Sequence, residues 1–213
     1  MKKQKRFFIT IEGGEGSGKT TQSFYLRDYF QQKGYKTLLT REPGGTVLAE
    51  CIRNILLNPN LNLLPLSELF LYEAARVQHV KELILPALMS EKIVICDRFI
   101  DATVAYQGYG RKLDLKLINK LNFIAAYGIF PSLTIYLDIK SSRGLNKARM
   151  LNKKYYGKTG DRIESESMKF HVNVRNGYLK QAKKYPNRIK IVKIQKTPMQ
   201  TQNLIRKIVD ILF

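Results

Sequence analysis

The chain has 213 residues, 44% of them hydrophobic and 25% charged, a balance that suits one soluble domain whose core needs neither disulfides nor structural metal. Cys51 and Cys96, with His79 and His171, stand in no metal-ligand spacing, so a zinc-built fold is excluded and buried, reduced thiols are expected. The formal net charge of +20 would suit a polyanionic partner or small charged nucleotides equally; because Lys and Arg are spread along the whole chain, it is read mainly as solvated surface.

The basic start (Lys2, Lys3, Lys5, Arg6) leads into Phe7-Phe8-Ile9, but Thr10 and Glu12 break the apolar run too early for a signal peptide. No stretch approaches the roughly 18 apolar residues of a membrane span, and a cytoplasmic protein without membrane attachment is expected. Phe7 to Glu12 reads as a buried strand stopped by glycines. A helix should run from Lys19 to about Lys33 and end at Gly34. Further apolar strands are expected at Thr37–Thr40, Ile93–Cys96, Leu133–Leu137 and Ile189–Val192. Helical patterns lie near 46–57, 66–89, 114–126, 141–150, 164–184 and 199–212. This alternation predicts an α/β fold in which a five-stranded parallel sheet is flanked by helices on both faces. Ligands of such sheets gather beyond the carboxyl ends of the strands, where polar clusters follow Glu12, Thr40 and Cys96. Asn152 to Gly160, polar and rich in Lys, is the segment expected to form a mobile loop.

Gly13 to Thr20 reads GGEGSGKT, a full match to G-x-x-x-x-G-K-[ST] placed between a predicted strand and a predicted helix. Its glycines let successive backbone N–H groups turn inward onto phosphate, and the helix aims its positive end at the same point. Lys19 supplies a cation for β- and γ-phosphates and Thr20 a hydroxyl for Mg²⁺. The loop gives nucleotide binding but not a reaction, since ATPases, GTPases, helicases and small-molecule kinases share it.

Three other clusters narrow the choice. Asp97-Arg98-Phe99 ends a strand beside that loop, where Asp97 suits the Mg²⁺ shell and Arg98 a bidentate phosphate contact; a surface ion pair is the plain alternative. Thr40 to Thr46, TREPGGT, is a rigid turn that brings Arg41 and Glu42 towards a cleft, with Arg53 on the next helix. Tyr72 and Arg76 share one helix face and together could stack on a base and donate to its carbonyl, although a core Tyr beside a solvated Arg has the same spacing.

The order GGEGSGKTT, TREPGGT, YEAARVQHV, DRF, AYQGYGR, LTIYLD and DRIE resembles bacterial thymidylate kinases, from about Phe7 to about Glu166. The resemblance implies transfer of the γ-phosphoryl group of ATP to dTMP, giving dTDP on the way to dTTP. It also implies Mg²⁺ as cofactor, a mobile lid over about 149–163 and a homodimer. Gly13, Gly14, Glu15, Gly16, Ser17, Gly18, Lys19, Thr20 and Thr21 would bind ATP, and Thr20 and Asp97 would hold the metal directly or through water. For dTMP the resemblance implies Arg98 and Arg53 on the phosphate, Tyr72 stacked on thymine, Arg76 on a thymine carbonyl and Thr103 at the base edge. Tyr106 would crowd the sugar 2′ position, with Gln107 in the same pocket. Glu15 resembles an acid near the acceptor sugar, and Glu42 the acid of the loop after the second strand. Lys19, Arg98, Glu15 and a lid cation are then the catalytic set. One branch of the family carries an Arg inside the P-loop where this chain has Gly16, so the cation is expected from the lid. Arg149 is the first candidate, with Lys153, Lys154, Lys158 and Arg162 behind it. His79 is expected to be a structural hydrogen-bonding residue, and Lys180, Lys183 and Lys184 a solvated helix face. A kinase of another nucleotide, a nucleic-acid-binding P-loop ATPase suggested by the charge, and a nucleotide-binding protein without turnover are the rival readings.

Overall fold

The computed structural model describes residues 7–156 and 160–212, with backbone alone at 152 and 154–156. The five strands are β1 (Phe7–Gly13), β2 (Thr37–Arg41), β3 (Ile93–Asp97), β4 (Leu133–Asp138) and β5 (Ile189–Lys193). They pair in the order β2-β3-β1-β4-β5, all parallel. Ile11, Asp97 and Arg41 fall in register, so the carboxyl ends of β1, β3 and β2 open at one level. Each strand runs one residue past its expected end.

Both sheet faces are covered, as continuous apolar strands require. Ile9, Ile11, Ile95 and Ile135 pack on Leu26 and Phe30 of α1 (Lys19–Gln32) and on Ile205 and Val209 of α9 (Pro198–Asp210). On the other face Phe8, Val94 and Cys96 meet Val80, Ile84 and Ala87. Tyr136 and Ile189 meet Val174 and Tyr178 of α8 (Met168–Lys184) there. α2 (Val47–Leu57) packs through Ala49, Ile52 and Leu56 against Ala75 of α3 (Pro65–His79). The thiol expectation holds for Cys96, which is buried; Cys51 corrects it, because it lies on the outward face of α2 and is exposed.

The long helix expected over 66–89 is α3 continued through a π-helical stretch, Val80–Ile84, into α4 (Leu85–Met89). The widened turn precedes Pro86, whose ring and missing N–H forbid a regular bond back to Glu82. Unforeseen is the short helix α5 (Ile100–Thr103), continued as a π-helical segment, Val104–Gly110. Its glycines admit close neighbours: a side chain at Gly110 would stand 2.5 Å from the Phe170 ring. α6 (Leu115–Ala125) and α8 match their patterns, with Asp114 and Ser167 as N-caps. α7 (Ser141–Tyr156) runs on through the first part of the expected loop, because no Gly or Pro stands between Gly144 in its first turn and Gly157.

Candidate active site

The P-loop leaves β1 and turns at Gly18, whose φ of 85° caps α1 in the left-handed region. Lys19 is buried and its Nζ donates to the Gly14 carbonyl at 3.0 Å. Burial first, and then the Arg98 charge, depress its pKa, and both penalties ease when an anion enters the loop. Thr20 Oγ1 donates to Asp97 Oδ2 at 2.7 Å, so the two residues expected at the metal meet at the mouth of the loop.

Gly16 explains why this chain carries no P-loop arginine. A Cβ there would lie 2.1 Å from the Gly144 carbonyl oxygen of α7, and φ is already 65°. The contact is mutual, since a Cβ at Gly144 would lie 2.4 Å from the Glu15 carbonyl oxygen. The phosphate loop and the first turn of α7 therefore touch backbone to backbone. Gly144 has no positive φ, so Gly144→Val tests this contact without forcing strained torsions. Overpacking of this kind costs about 1–3 kcal/mol. The variant should show a lower Tm and a KM for ATP raised about tenfold, with the dTMP KM less affected; unchanged ATP kinetics would show the contact to be incidental.

Beside the loop lies a cleft walled by Pro43, Leu57, Tyr72, Phe99, Ala102 and Ile163. Arg53, Arg76, Arg98, Thr103, Tyr106, Gln107, Glu15 and Glu42 also face it, bringing together every residue that the resemblance assigned to dTMP. Arg98 adopts φ 72°, a torsion costly for a non-glycine residue, and its backbone N–H donates to the Ile11 carbonyl at 3.1 Å. Its Nη2 donates to Glu15 Oε1 at 2.6 Å, and its guanidinium stacks 4.7 Å from the Tyr106 ring centroid. Tyr106 OH donates to the same Glu15 oxygen at 2.8 Å. Burial alone would raise the Glu15 pKa, but the Arg98 and Lys19 charges hold it at about 2. Arg53 Nη1 donates to the Pro43 carbonyl at 2.8 Å, fixing it on the cleft wall.

Arg76 is the most tightly held group of the cleft, 2% exposed. Nε donates to Glu42 Oε2 (2.8 Å), Nη1 to Glu73 Oε2 (2.9 Å) and Asn122 Oδ1 (2.6 Å), and Nη2 to Thr103 Oγ1 (2.9 Å). A guanidinium has five N–H groups, so these four bonds leave one on Nη2 for a ligand. Burial opposes its charge, yet Glu42 and Glu73 outweigh burial and raise its pKa. His79 is fully buried and structural: Nδ1 contacts Glu42 Oε1 (3.0 Å) and Nε2 contacts Thr40 Oγ1 (2.7 Å). Glu42 is therefore the hinge between His79 and Arg76.

The lid candidates separate. Arg149 and Lys153 are exposed on one face of α7, and Arg149 lies about 7.5 Å along the helix axis from the Gly144 contact. The side chain of Lys154, and Lys158 altogether, lie outside the described residues. Arg162 is corrected as a cation donor. Its Nη1 pairs with the buried Glu68 at 2.6 Å and its Nε donates to the Leu56 carbonyl at 2.9 Å, so it fastens the last part of the expected lid to α2 and α3. Glu68 also accepts from Arg111 and from the Gln107 amide, so Gln107 belongs to this clamp while lining the cleft.

Two participants escaped the sequence. Glu12, fully buried, accepts from Phe99 N–H (2.7 Å) and Tyr178 OH (2.7 Å) and so holds the Asp97–Phe99 turn. Asp161 lines the cleft, and burial and then the Glu15 charge raise its pKa. Its neighbours in the DRIE string could have flagged it, whereas nothing marks Glu12 in a sequence.

The loop and the cleft share Glu15 and Arg98, so two phosphorylated ligands can meet end to end between them, the arrangement of a P-loop phosphotransferase. The family profile described as thymidylate kinase matches residues 11–205, and the chain belongs to that family. The thymidylate kinase of Syntrophotalea carbinolica is 53% identical over 187 residues, 87% of each chain. That of Gloeobacter violaceus is 45% identical over 204 residues, 96% of this chain and 94% of the other. The crystal structure of thymidylate kinase from Ehrlichia chaffeensis has a TM-score of 0.79 and 36% identity, covering 97% of this chain and 99% of that one.

Proposed function

We propose that the protein transfers the γ-phosphoryl group of ATP to dTMP, giving dTDP and ADP. The observation that carries this reading is Arg76, locked by four bonds with one N–H left to donate, in the cleft that the Tyr72 ring also lines. Thymine offers a carbonyl to that N–H. Thr103, whose oxygen already accepts from Arg76, keeps a hydroxyl proton for a second acceptor on the base. Tyr106, pinned on Glu15, would crowd the 2′-hydroxyl of a ribose.

Arg98 and Arg53 grip the acceptor phosphate, and Lys19 the donor phosphates, so the like-charge repulsion of two anions is offset where they meet. The acceptor phosphate is anionic near neutral pH and needs no general base. Thr20 and Asp97 offer one hydroxyl and one carboxylate, a sparse oxygen set that fits Mg²⁺, which keeps most of its shell as water and phosphate oxygen. Bound with ATP, Mg²⁺ would neutralise charge on the β- and γ-oxygens. Arg149 on α7 supplies the lid cation, with Lys153, Lys154 and Lys158 as weaker point charges.

The apolar side chains exposed on α2, α3 and α6, among them Val47, Ile55, Phe70, Phe123 and Ile124, support a homodimer through those helices. The enzyme is proposed to act in the cytoplasm without a nucleic-acid partner; among the described residues no helix is long and apolar enough to cross a membrane.

The test is ADP release from ATP and Mg²⁺ with dTMP, dUMP, the ribose analogue of dTMP, AMP or single-stranded DNA added. Turnover should require dTMP and fall about tenfold or more with each other additive. Preference for another monophosphate would reject the base pocket, and stimulation by DNA alone would reject the kinase reading.

A further inference from the structure

We infer that the molecule carries a second ligand site, separate from the catalytic cleft, that takes a nucleoside polyphosphate. A cavity of about 460 Å³ lies between the α5 segment, α6 and the end of α8, within the size range of small-molecule sites. Its wall is aromatic and aliphatic, with Tyr109, Phe130 and Tyr185 presenting rings, and its cations come from Lys180, Lys184 and Arg188.

The charges are arranged to receive an anion. Arg188 is paired with the buried Asp101 through Nη1 (2.6 Å) and Nη2 (2.7 Å), and Nη1 also donates to Thr134 Oγ1 (2.9 Å). Those three bonds neutralise the acid on the floor and leave two of five guanidinium N–H groups for a ligand. Lys180 and Lys184 form no ion pair among the described residues; their ammonium groups rest 5.1 Å from the Tyr109 ring and 5.2 Å from the Tyr185 ring. A cation poised on a ring, twice over, offers phosphate contacts beside a stacking face. Phosphates and a flat base on one molecule satisfy both.

The cavity is wired to the base pocket through side chains. Asn122 lines it, while its Oδ1 holds Arg76 Nη1 at 2.6 Å and its Nδ2 donates to the Ile100 carbonyl at 3.3 Å. The four-residue helix α5 carries Asp101 on the cavity side and Thr103 on the cleft side. A ligand that shifts Asn122 or α5 must therefore move Arg76 and Thr103, altering affinity for the acceptor base before it alters phosphoryl transfer.

The experiment fills both substrate sites with a pentaphosphate-linked adenosine–thymidine compound, then titrates dTTP calorimetrically into the occluded protein. One further mole of dTTP should bind per chain. Its affinity should fall about tenfold or more in the Lys180→Glu/Lys184→Glu variant, whose exposed lysines touch neither substrate and whose basal turnover should be unchanged. In the unoccluded wild type, dTTP should change the dTMP KM by about fivefold or more in a component that this variant loses. No heat from the occluded protein overturns the inference, and so does equal affinity for inorganic triphosphate, which would leave the rings without a role. Binding of the linked compound is read in its own titration, so a failure of the kinase reading is visible separately.

Discussion

Arg98→Ala should lower kcat/KM for dTMP by about a thousandfold at saturating ATP, with folding largely retained. Preorganised donors aimed at developing charge are each worth about 2.7–4 kcal/mol, and in the proposed reaction Arg98 would face both phosphates. Removing it has a second effect. Glu15 is held ionised at about pKa 2 chiefly because Arg98 and Lys19 offset its burial. Without Arg98 that carboxylate stands at the acceptor end of the cleft with Tyr106 and Lys19 as its remaining support, and it repels the incoming phosphate. Arg98→Lys keeps the charge but loses the fork, so it should recover only part of the loss. Arg98→Ala/Glu15→Gln removes the stranded acid and should be more active than Arg98→Ala alone. Steady-state kinetics on the three variants decide the point. A loss below tenfold in Arg98→Ala would mean that the phosphate is gripped elsewhere, with Arg53 the next candidate.

The reach of the sequence has a physical boundary in this chain. Continuous apolar runs mark strands buried on both faces and a 3.6-residue period marks helices that bury one face, and all five strands and the long helices are legible from them. The α5 segment is not, because the residues it buries, among them Asp101, Thr103, Tyr106 and Gln107, are largely polar and form no repeating apolar stripe. The continuation of α7 is hidden for a similar reason: its residues are polar, and polarity reads as loop. Within the site, the residues proposed to touch phosphate or base sit in local strings such as GGEGSGKT and DRF. The groups that hold those residues come largely from distant positions: Glu42 and Asn122 support Arg76, and Glu12 supports the turn at Arg98. Arg162 shows the same limit. As one basic residue within the expected lid it reads as a donor, and only its contact with Glu68, ninety-four positions earlier, reveals a clasp.

Glu12 gives the sharpest stability prediction because its burial is complete and its acidity is displaced. Burial, then the nearby Asp101 charge, push its pKa from 4.5 up to about 8, against the lowering pull of Arg98, Tyr178 and the Phe99 N–H. The folded chain therefore keeps a proton on Glu12 that the unfolded chain releases above about pH 4.5. Between that pH and about pH 8 the folded state binds more protons than the unfolded state, so this group makes stability fall as pH rises. The slope approaches about 1.4 kcal/mol per pH unit in that window and vanishes outside it. Glu12→Gln copies the neutral acid, since its amide oxygen can accept from Phe99 N–H and its nitrogen can donate to Tyr178. Denaturant unfolding of both proteins across pH 4.5–8.5 isolates Glu12, because all other titrations are common to both and cancel. The variant should gain stability relative to the parent by a few kcal/mol across the window, while its turnover near neutral pH stays close to that of the parent. A difference that stays flat with pH would mean that Glu12 is ionised in the fold, with Arg98 and Tyr178 carrying its charge. The turn that aims Arg98 would then rest on an ion pair rather than on a neutral hydrogen bond.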